Sequence, residues 1–343
     1  MIPLTATRAR LVILWLLAML FIGLWQSQTP IRRRTTPHGG DIFLFRVVVD
    51  RMRTGVAYYD AMRLELVRRG YPTASVFNWR APATFLVLAK APAAAHALML
   101  TLAALILLLT VLVFRNAPPG VTIAAILVQI GSSLLPAVPT DGLFMPEAWA
   151  GMFLLLCVLA HTLGAFRVAI CFATAALCAR ELALPFVLVG LGFAVHARRW
   201  DQVRWYVGGL TIFAAYYLAH IAMAISHMQP GDMLHKGSWI AFGGWRFVVN
   251  TVAMGGWYLM LPRWAAAVGV VAVLAALWGP ADRHLKAMVA IYLAGFSVVG
   301  QTFNDYWGLM TGPTWGLATI YGLIGLHRLL RVAFRQKPAA VPV

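Results

Sequence analysis

The polar residues best suited to chemistry in this sequence are arginines that lie between long apolar stretches. The segment 28–82 carries ten arginines and only four acids. A guanidinium group is always charged, and its fork of N–H donors matches the oxygens of a phosphate. Arg80, Arg180, Arg68 and Arg69 are therefore candidates for binding the phosphate of a substrate. The alternative for each is contact with a lipid head group.

Three carboxylates have positions that favour a role at the same site. Asp41 is the first acid after the leading apolar stretch, where a membrane-anchored substrate and a water-side substrate can meet. Its alternative role is to cap the helix that follows. Glu147 and Glu181 stand at the entrances of apolar stretches, where ionisable groups are often functional. Glu181 alternatively pairs with the adjacent Arg180 or caps the next helix.

Other polar groups carry weaker signals. His227, Asp232 and His235 have a spacing that fits no strong metal-binding pattern, so no metal is predicted and a divalent cation is left open. The segment 301–307, which includes Asn304 and Asp305, suits sugar contact, although its tyrosine and tryptophan also suit an interfacial belt. The histidines inside apolar stretches are expected to make hydrogen bonds between helices. They are His96, His161 and His220.

The elements that must position these residues are helices in a membrane. Hydrophobic residues make up 61% of the 343 residues and charged residues 11%, against roughly 25% charged in an ordinary soluble domain. The apolar stretches are long and continuous, which favours spanning helices over a barrel. We therefore predict an all-α polytopic membrane protein. Its net charge of +17 favours membrane lipids and a phosphorylated substrate as partners, with no nucleic acid.

Hydropathy predicts about ten spans and a single transmembrane domain over 1–343. The predicted spans lie near 9–27, 93–114, 119–138, 147–164, 168–179, 182–197, 205–226, 264–280, 287–302 and 312–330. The stretch 240–262 is predicted to be interfacial or re-entrant, because counting it as a span would place the basic C-terminal tail outside. Both termini then lie in the cytoplasm. The segments 28–82 and 227–262 form outer loops.

The first outer loop is predicted to contain two juxtamembrane helices. Apolar residues recur at helical spacing and predict an amphipathic helix that ends near residue 55. They are Ile42, Phe45, Val49 and Met52. A second helix is predicted over 59–69, stopped by Gly70 and Pro72.

This loop resembles that of the GT-C superfamily of glycosyltransferases, polytopic enzymes that include aminoarabinose and mannosyl transferases. The resemblance consists of an Asp after the first span, an aromatic-containing helix, a Gly-x-x-Tyr-Tyr-Asp turn and an Arg/Pro entry to the next span. The matching residues are Asp41, Phe45, Gly55, Tyr58, Tyr59, Asp60, Asn78, Arg80 and Pro82. Pro146-Glu147 and Arg180-Glu181 extend the resemblance over about residues 1–200. The sequence departs from the family where Ile42 follows Asp41, since an Asp-Glu pair is common there.

The resemblance implies a GT-C-like fold and transfer of a sugar, with inversion, from a polyprenyl-phosphate-linked donor to an extracytoplasmic glycan or lipid acceptor. Asp41 is the implied general base. The departing phosphate is expected to be held by arginines. These are Arg80, Arg180, Arg68 and Arg69. The expected contacts to the acceptor or the sugar are Glu147, Glu181, Tyr59, His38, Asn304 and Asp305.

Two other functions stay open. A ten-span membrane acyltransferase that modifies envelope glycans suits the size and basicity, but it would want a histidine near the cytoplasmic entry, and the first span has none. A lipid-linked sugar flippase or transporter would place ionisable groups near the middle of the membrane. High Ala, Arg and Gly with little Lys is typical of a GC-rich bacterial genome. The predicted location is therefore the bacterial inner membrane, with the active site facing the periplasm.

Overall fold

Regular structure in the described part of the chain is entirely helical. The computed structural model describes residues 4–28, 40–234 and 241–334, and these ranges contain no strand. The first eight helices are α1 (Ala6–Ser27), α2 (Gly40–Arg53), α3 (Tyr58–Arg68), α4 (Ala83–Lys90), α5 (Pro92–Phe114), α6 (Pro119–Gln129), α7 (Leu135–Ala137) and α8 (Thr140–Leu143). The next eight are α9 (Pro146–Thr162), α10 (Phe166–Ala179), α11 (Leu184–His196), α12 (Trp200–Ser226), α13 (Gly244–Ala253), α14 (Arg263–Ala275), α15 (Arg283–Val298) and α16 (Gly308–Ala333). The all-α prediction is confirmed for these ranges.

The lengths and surfaces of the helices support a membrane-embedded protein. Four segments are long and apolar enough to cross a membrane: Ala6–Ser27, Pro92–Phe114, Pro119–Ala137 and Trp200–Ser226. Shorter apolar helices and α15 and α16 lie over the remaining predicted stretches. Large apolar side chains stay exposed on α1 and α12, among them Phe21 and Leu218. Soluble monomers rarely expose apolar patches of that extent, whereas hydrocarbon would cover them.

Helix α9 forms the buried centre of the bundle. Fourteen of its residues are buried, and it packs against α5, α10 and α16. Gly151 lets the α16 backbone approach closely, because an added Cβ would lie 2.7 Å from the carbonyl oxygens of Leu309 and Met310. Helices α9 and α10 form an antiparallel pair joined by a short turn. The beginning of α9 therefore lies beside the end of α10.

Two ends of the bundle are used below as reference points. The Asp41 end contains Asp41, Glu147 and Arg180, and the Asp282 end contains His161 and Asp282. Glu147 and His161 are fourteen positions apart on α9, which corresponds to about 21 Å along the helix axis. The polar clusters at the two ends are therefore separate sites.

The stretch that was predicted to be re-entrant contains the short helix α13. Its residues 247–252 are buried, and a 3-10 turn, Gly256–Met260, follows. Ten residues rise only about 15 Å, half of the hydrocarbon core, so α13 alone is too short to span it. The Trp245 indole N–H donates to the Met19 carbonyl at 2.9 Å, which fixes the start of α13 against α1.

The two loop helices lie where the sequence predicts them. α2 is followed by Gly55, with φ +96°, and α3 by Gly70, with φ +68°, both in the left-handed region that favours glycine. The buried face of α2 differs from the prediction: Ile42 is 37% exposed, while Leu44 and Val48 are buried. The reason is that α3 and α4 cover α2 from one side, with the Phe45 ring 5.2 Å from that of Phe85.

Candidate active site at the Asp41 end

Asp41 lies in the first turn of α2. The helix begins at Gly40, whose φ of +70° suits glycine. The Asp41 carboxylate accepts a hydrogen bond from the Tyr71 hydroxyl at 2.7 Å. It lies within the helix and is held by a side chain, so the alternative role of an N-cap does not match its position. Burial, followed by the charge of Asp41, raises the pKa of Tyr71 well above its ordinary value, which keeps this donor protonated.

Arg80 lies where the chain leaves the first loop and enters α4. One terminal nitrogen donates to the Tyr306 hydroxyl at 2.8 Å, and the other donates to the Phe77 carbonyl. Its Nε is buried and has no hydrogen-bond partner among the described residues. Both described partners are neutral, so no direct ion pair offsets the charge of this guanidinium.

Arg180 is held differently, between two carboxylates. Its side chain is 5% exposed, its Nε lies 2.7 Å from Glu147 Oε1, and it also pairs with Glu181. The Nε–H is not directed at Glu147, so that contact is an ion pair without a hydrogen bond. Both Glu147 oxygens are buried and lack a hydrogen-bond donor among the described residues. The pairing of Glu181 with Arg180, one of the alternatives that the sequence leaves open, is present.

Electrostatic coupling joins these groups into one cluster. Burial alone would lower the pKa of Arg80, but Tyr306 and the carboxylates of Glu147, Asp41 and Glu181 raise it. Burial likewise acts to raise the pKa of Glu181, while Arg180 and Arg80 lower it, and the net shift is downward. Five predicted site residues thus come together. They are Asp41, Arg80, Glu147, Arg180 and Glu181.

The other two predicted arginines, Arg68 and Arg69, lie at the end of α3. Glu65 is fully buried and pairs with Arg69 at 3.1 Å and with Arg51 at 2.6 Å. The Arg69 guanidinium also lies 4.6 Å from the centre of the Phe43 ring. Arg68 is exposed near the end of α3. A phosphate bound by Arg69 would compete with Glu65, whereas Arg68 has no described contact with that carboxylate.

Tyr59 belongs to an aromatic layer beside the cluster. Its hydroxyl is 3.0 Å from His220 Nδ1, and the other ring nitrogen of His220 is 2.8 Å from the Trp79 carbonyl. His220 therefore makes the predicted hydrogen bonds between segments. The Tyr59 ring also packs against those of Tyr58 and Trp79.

The segment 301–307 contributes buried polar atoms. Asn304 is 2% exposed, and its amide nitrogen has no hydrogen-bond partner among the described residues. The Trp307 indole nitrogen is in the same situation. Asp305 is half-buried. His38 lies outside the described residues.

The possible metal group in the second outer loop is occupied by an arginine. Both oxygens of Asp232 accept from Arg63, at 2.8 and 2.9 Å. The Arg63 hydrogen bonds lower the pKa of Asp232 to about 2. His235 lies outside the described residues, and within them no three His, Cys, Asp or Glu side chains are grouped to hold a metal.

Two residues of this site, Tyr71 and Tyr306, are not predicted from the sequence. Tyr71 stands in an ordinary loop, and nothing in its neighbourhood predicts a contact with Asp41, which is 30 positions away. Tyr306 lies in the polar and aromatic segment noted above, but its partner Arg80 is 226 positions away. A cavity of about 200 Å³ lies at the Asp282 end.

Comparisons of the chain with protein-family models, with curated proteins and with solved structures found no match. The functional conclusion therefore depends on the site itself. It offers a half-buried carboxylate with a fixed hydroxyl partner, an arginine with neutral partners and a buried arginine held by two glutamates. These groups suit proton transfer beside a bound anion.

Proposed function

We propose that the chain is a polytopic membrane glycosyltransferase of the GT-C type that moves a sugar from a polyprenyl phosphate to an extracytoplasmic glycan or lipid. The observation that carries this proposal is the single cluster formed by Asp41, Arg80, Glu147 and the Arg180-Glu181 pair at one end of an apolar bundle. An isoprenoid tail lies in the bilayer beside such a bundle. The acceptor reaches the same place from water.

The proposed reaction is a single displacement with inversion. The acceptor hydroxyl oxygen attacks the anomeric carbon of the donor sugar, and its proton goes to the Asp41 carboxylate. The bond between the anomeric carbon and the phosphate oxygen breaks as the new glycosidic bond forms. The electron pair of the broken bond leaves with the polyprenyl phosphate. Tyr71 holds the Asp41 carboxylate in place through its hydroxyl.

Arg80 is proposed to stabilise the departing phosphate. Its direct hydrogen-bond partners are the Tyr306 hydroxyl and the Phe77 carbonyl, so a phosphate would not have to displace a paired carboxylate. Arg180 is assigned a positioning role instead, because Glu147 and Glu181 already compensate its charge. This distinction favours Arg80 over Arg180 as the phosphate ligand.

The proposed topology has ten spans, with both termini in the cytoplasm and the Asp41 end facing the periplasm of a bacterial inner membrane. A helix lies over each of the ten predicted stretches. Basic residues stand at the helix termini of the Asp282 end, which supports placing that end inside. They are Arg115, Arg167, Arg198, Arg199, Arg204, Arg283 and Lys286.

The test is transfer of sugar by the purified protein from a panel of radiolabelled polyprenyl-phosphate sugars to an envelope glycan or lipid extract. We expect a labelled product with at least one donor. The Arg80→Gln variant should lose more of this activity than Arg68→Gln, its exposed counterpart in the same loop. Absence of product with every donor, while a known GT-C enzyme works in the same assay, would contradict the proposal.

A transporter for lipid-linked sugars is supported less well by the placement of charge. A translocation path is expected to place ionisable groups near the middle of the membrane. The ion pairs of the described residues lie instead in the outer loops, at the Asp41 end or at the Asp282 end.

A further inference from the structure

A second polar site lies at the Asp282 end, about 21 Å along α9 from Glu147. It is a cavity of about 200 Å³ between the beginnings of α12 and α15 and the end of α9. The polar residues that line it are His161, Arg199, Gln202, Asp282, Arg283 and His284. None of them takes part in the reaction proposed above.

Two histidines in fixed positions line one side of the cavity. The rings of His161 and His284 stack with their centres 3.8 Å apart and their planes 8° from parallel. Nδ1 and the backbone nitrogen of His284 lie 2.7 and 2.8 Å from one oxygen of Asp282. His161 Nε2 lies 2.9 Å from the Tyr206 hydroxyl. The Asp282 charge is therefore partly compensated by donors from its own helix.

The cavity has a surplus of positive charge. Arg199 and Arg283 line it and are both exposed, and neither forms an ion pair among the described residues. Arg283 lies over the Phe193 ring, with its guanidinium carbon 5.0 Å from the ring centre. The lining contains two arginines and one carboxylate, that of Asp282. This carboxylate already accepts a hydrogen bond from the backbone N–H of His284. An anion would meet two guanidinium groups that form no ion pair among the described residues.

The beginning of α12 adds backbone donors on the same side. α12 has 27 residues, and Arg199 at its cap position makes no side-chain cap hydrogen bond. The first N–H groups of such a helix lack partners within it, and the helix dipole favours an anion beside them. Gln202 in this first turn lines the cavity. Asp201 in the same turn has the opposite charge, but it is exposed and does not line the cavity.

The turn that presents Arg199 has an unusual backbone. Arg198 has a φ of +53° and is the non-glycine residue with a positive φ among the described residues. The Arg198 N–H donates to the Val195 carbonyl and the Arg199 N–H to the Ala194 carbonyl, both at 2.9 Å. These bonds are typical of a helix C-terminus, where glycine is the usual residue with a positive φ.

We propose that this cavity binds the phosphate group of a ligand. Its volume is below the roughly 300–1,000 Å³ of pockets that hold drug-sized molecules, so it suits a phosphate or diphosphate group and not a whole nucleotide sugar. Arg199 and Arg283 provide the charge, and Gln202 with the first turn of α12 provides neutral donors. The phosphate belongs either to a soluble molecule or to a lipid head group. The inference is independent of the reaction proposed at the Asp41 end.

The test uses the full-length protein and two single arginine variants. Arg199→Gln removes one charge from the cavity, and Arg115→Gln removes one exposed charge from the end of α5, outside the cavity. Binding of sodium pyrophosphate in neutral detergent is measured by calorimetry at constant ionic strength. In parallel, the melting temperature is measured in phosphatidylcholine nanodiscs with and without phosphatidylglycerol.

We expect one of the two ligands to bind. Loss of one charged contact should weaken binding about tenfold in Arg199→Gln, with little change in Arg115→Gln. Pyrophosphate binding that weakens in Arg199→Gln but not in Arg115→Gln supports a soluble ligand. Stabilisation by phosphatidylglycerol that is lost in Arg199→Gln but not in Arg115→Gln supports a lipid head group. No effect of either ligand, or equal losses in the two variants, would overturn the proposal.

Discussion

The Asp41 end and the Asp282 end differ in how their charges are balanced. At the Asp41 end, three carboxylates accompany two arginines, and Arg180 is buried between two of those carboxylates. At the Asp282 end, two exposed arginines accompany one lining carboxylate, which accepts from its own helix. The first arrangement combines a carboxylate, Asp41, with an arginine, Arg80, whose direct partners are neutral. The second leaves a surplus of positive charge beside an open cavity.

This comparison changes how the arginine-rich first loop is interpreted. Ten arginines in 28–82 favour an anion site by number alone. Three of them, Arg32, Arg33 and Arg34, lie outside the described residues. Five of the other seven pair with acids. The pairs are Arg46–Asp141, Arg51–Glu65, Arg53–Asp50, Arg63–Asp232 and Arg69–Glu65. The location of the counter-charges, and not the number of arginines, decides which residues can hold an anion.

The largest expected effect separates the two acids of α2. Asp41→Asn should lower the turnover of sugar transfer by about 10²–10⁴-fold, the usual contribution of a general base. Asp50→Asn is the matched control, because Asp50 is exposed on the same helix and pairs only locally with Arg53. Initial rates are compared at equal protein level. Normal turnover in Asp41→Asn would remove the proposed base.

The next effect is on the free energy of unfolding, and it compares Arg180 at the Asp41 end with Arg283 at the Asp282 end. Arg180→Gln leaves Glu147 and Glu181 without their partner, which should lower the free energy of unfolding by about 3–5 kcal/mol. Arg283→Gln, at an exposed position, should change it by less than about 0.5 kcal/mol. Unfolding in sodium dodecyl sulfate provides the measurement. The double variant Glu147→Gln/Arg180→Gln should recover part of the loss, and equal losses in the two single variants would contradict the contrast.

A smaller effect concerns the pH dependence of stability and the ion pair between Arg63 of the first outer loop and Asp232 of the second. Arg63 lowers the pKa of Asp232 in the folded protein to about 2, whereas the unfolded value is about 3.9. The stability from this pair is therefore fully present above pH 4 and is lost as pH falls towards 2. Asp232→Asn should flatten the dependence of the melting temperature over that range. An unchanged slope would show that other carboxylates set the acid limit.

The smallest effect tests the strained turn at the Asp282 end. Arg198→Gly removes the cost of a positive φ at a helix end and should stabilise the protein by about 1 kcal/mol. Asp201→Asn, three residues away on the exposed surface, is a control that leaves this backbone unchanged. Melting temperatures give the comparison. Destabilisation by Arg198→Gly would show that the Arg198 side chain outweighs the strain.

The helices were predictable because each depends on local patterns. Continuous apolar stretches predict the bundle helices, and the 3–4 spacing of apolar residues together with Gly55 and Gly70 predicts α2 and α3. The buried face of α2 was less predictable. α3 and α4 cover it in three dimensions, and that packing exposes Ile42 in place of Leu44.

The contacts of the site depend on distance in the fold and were only partly predictable. Arg180 and Glu181 are neighbours in sequence, so their pairing was foreseeable, and Glu147 joins them because α9 and α10 are antiparallel. Tyr71 with Asp41 and Tyr306 with Arg80 required the tertiary structure. The interhelical hydrogen bond of His161 was predicted as a type of contact. Its stacking on His284 was not, since α9 and α15 are far apart in the chain.

The burial of α9 has a consequence for how this protein can be altered. Glu147 and His161 stand at opposite ends of one helix that touches neighbours on nearly all sides. Close-packed interiors resist local expansion, so a bulky replacement in the middle of α9 would displace both residues as a unit. Changes to either polar end are therefore better made in the flanking loops than in the middle of α9.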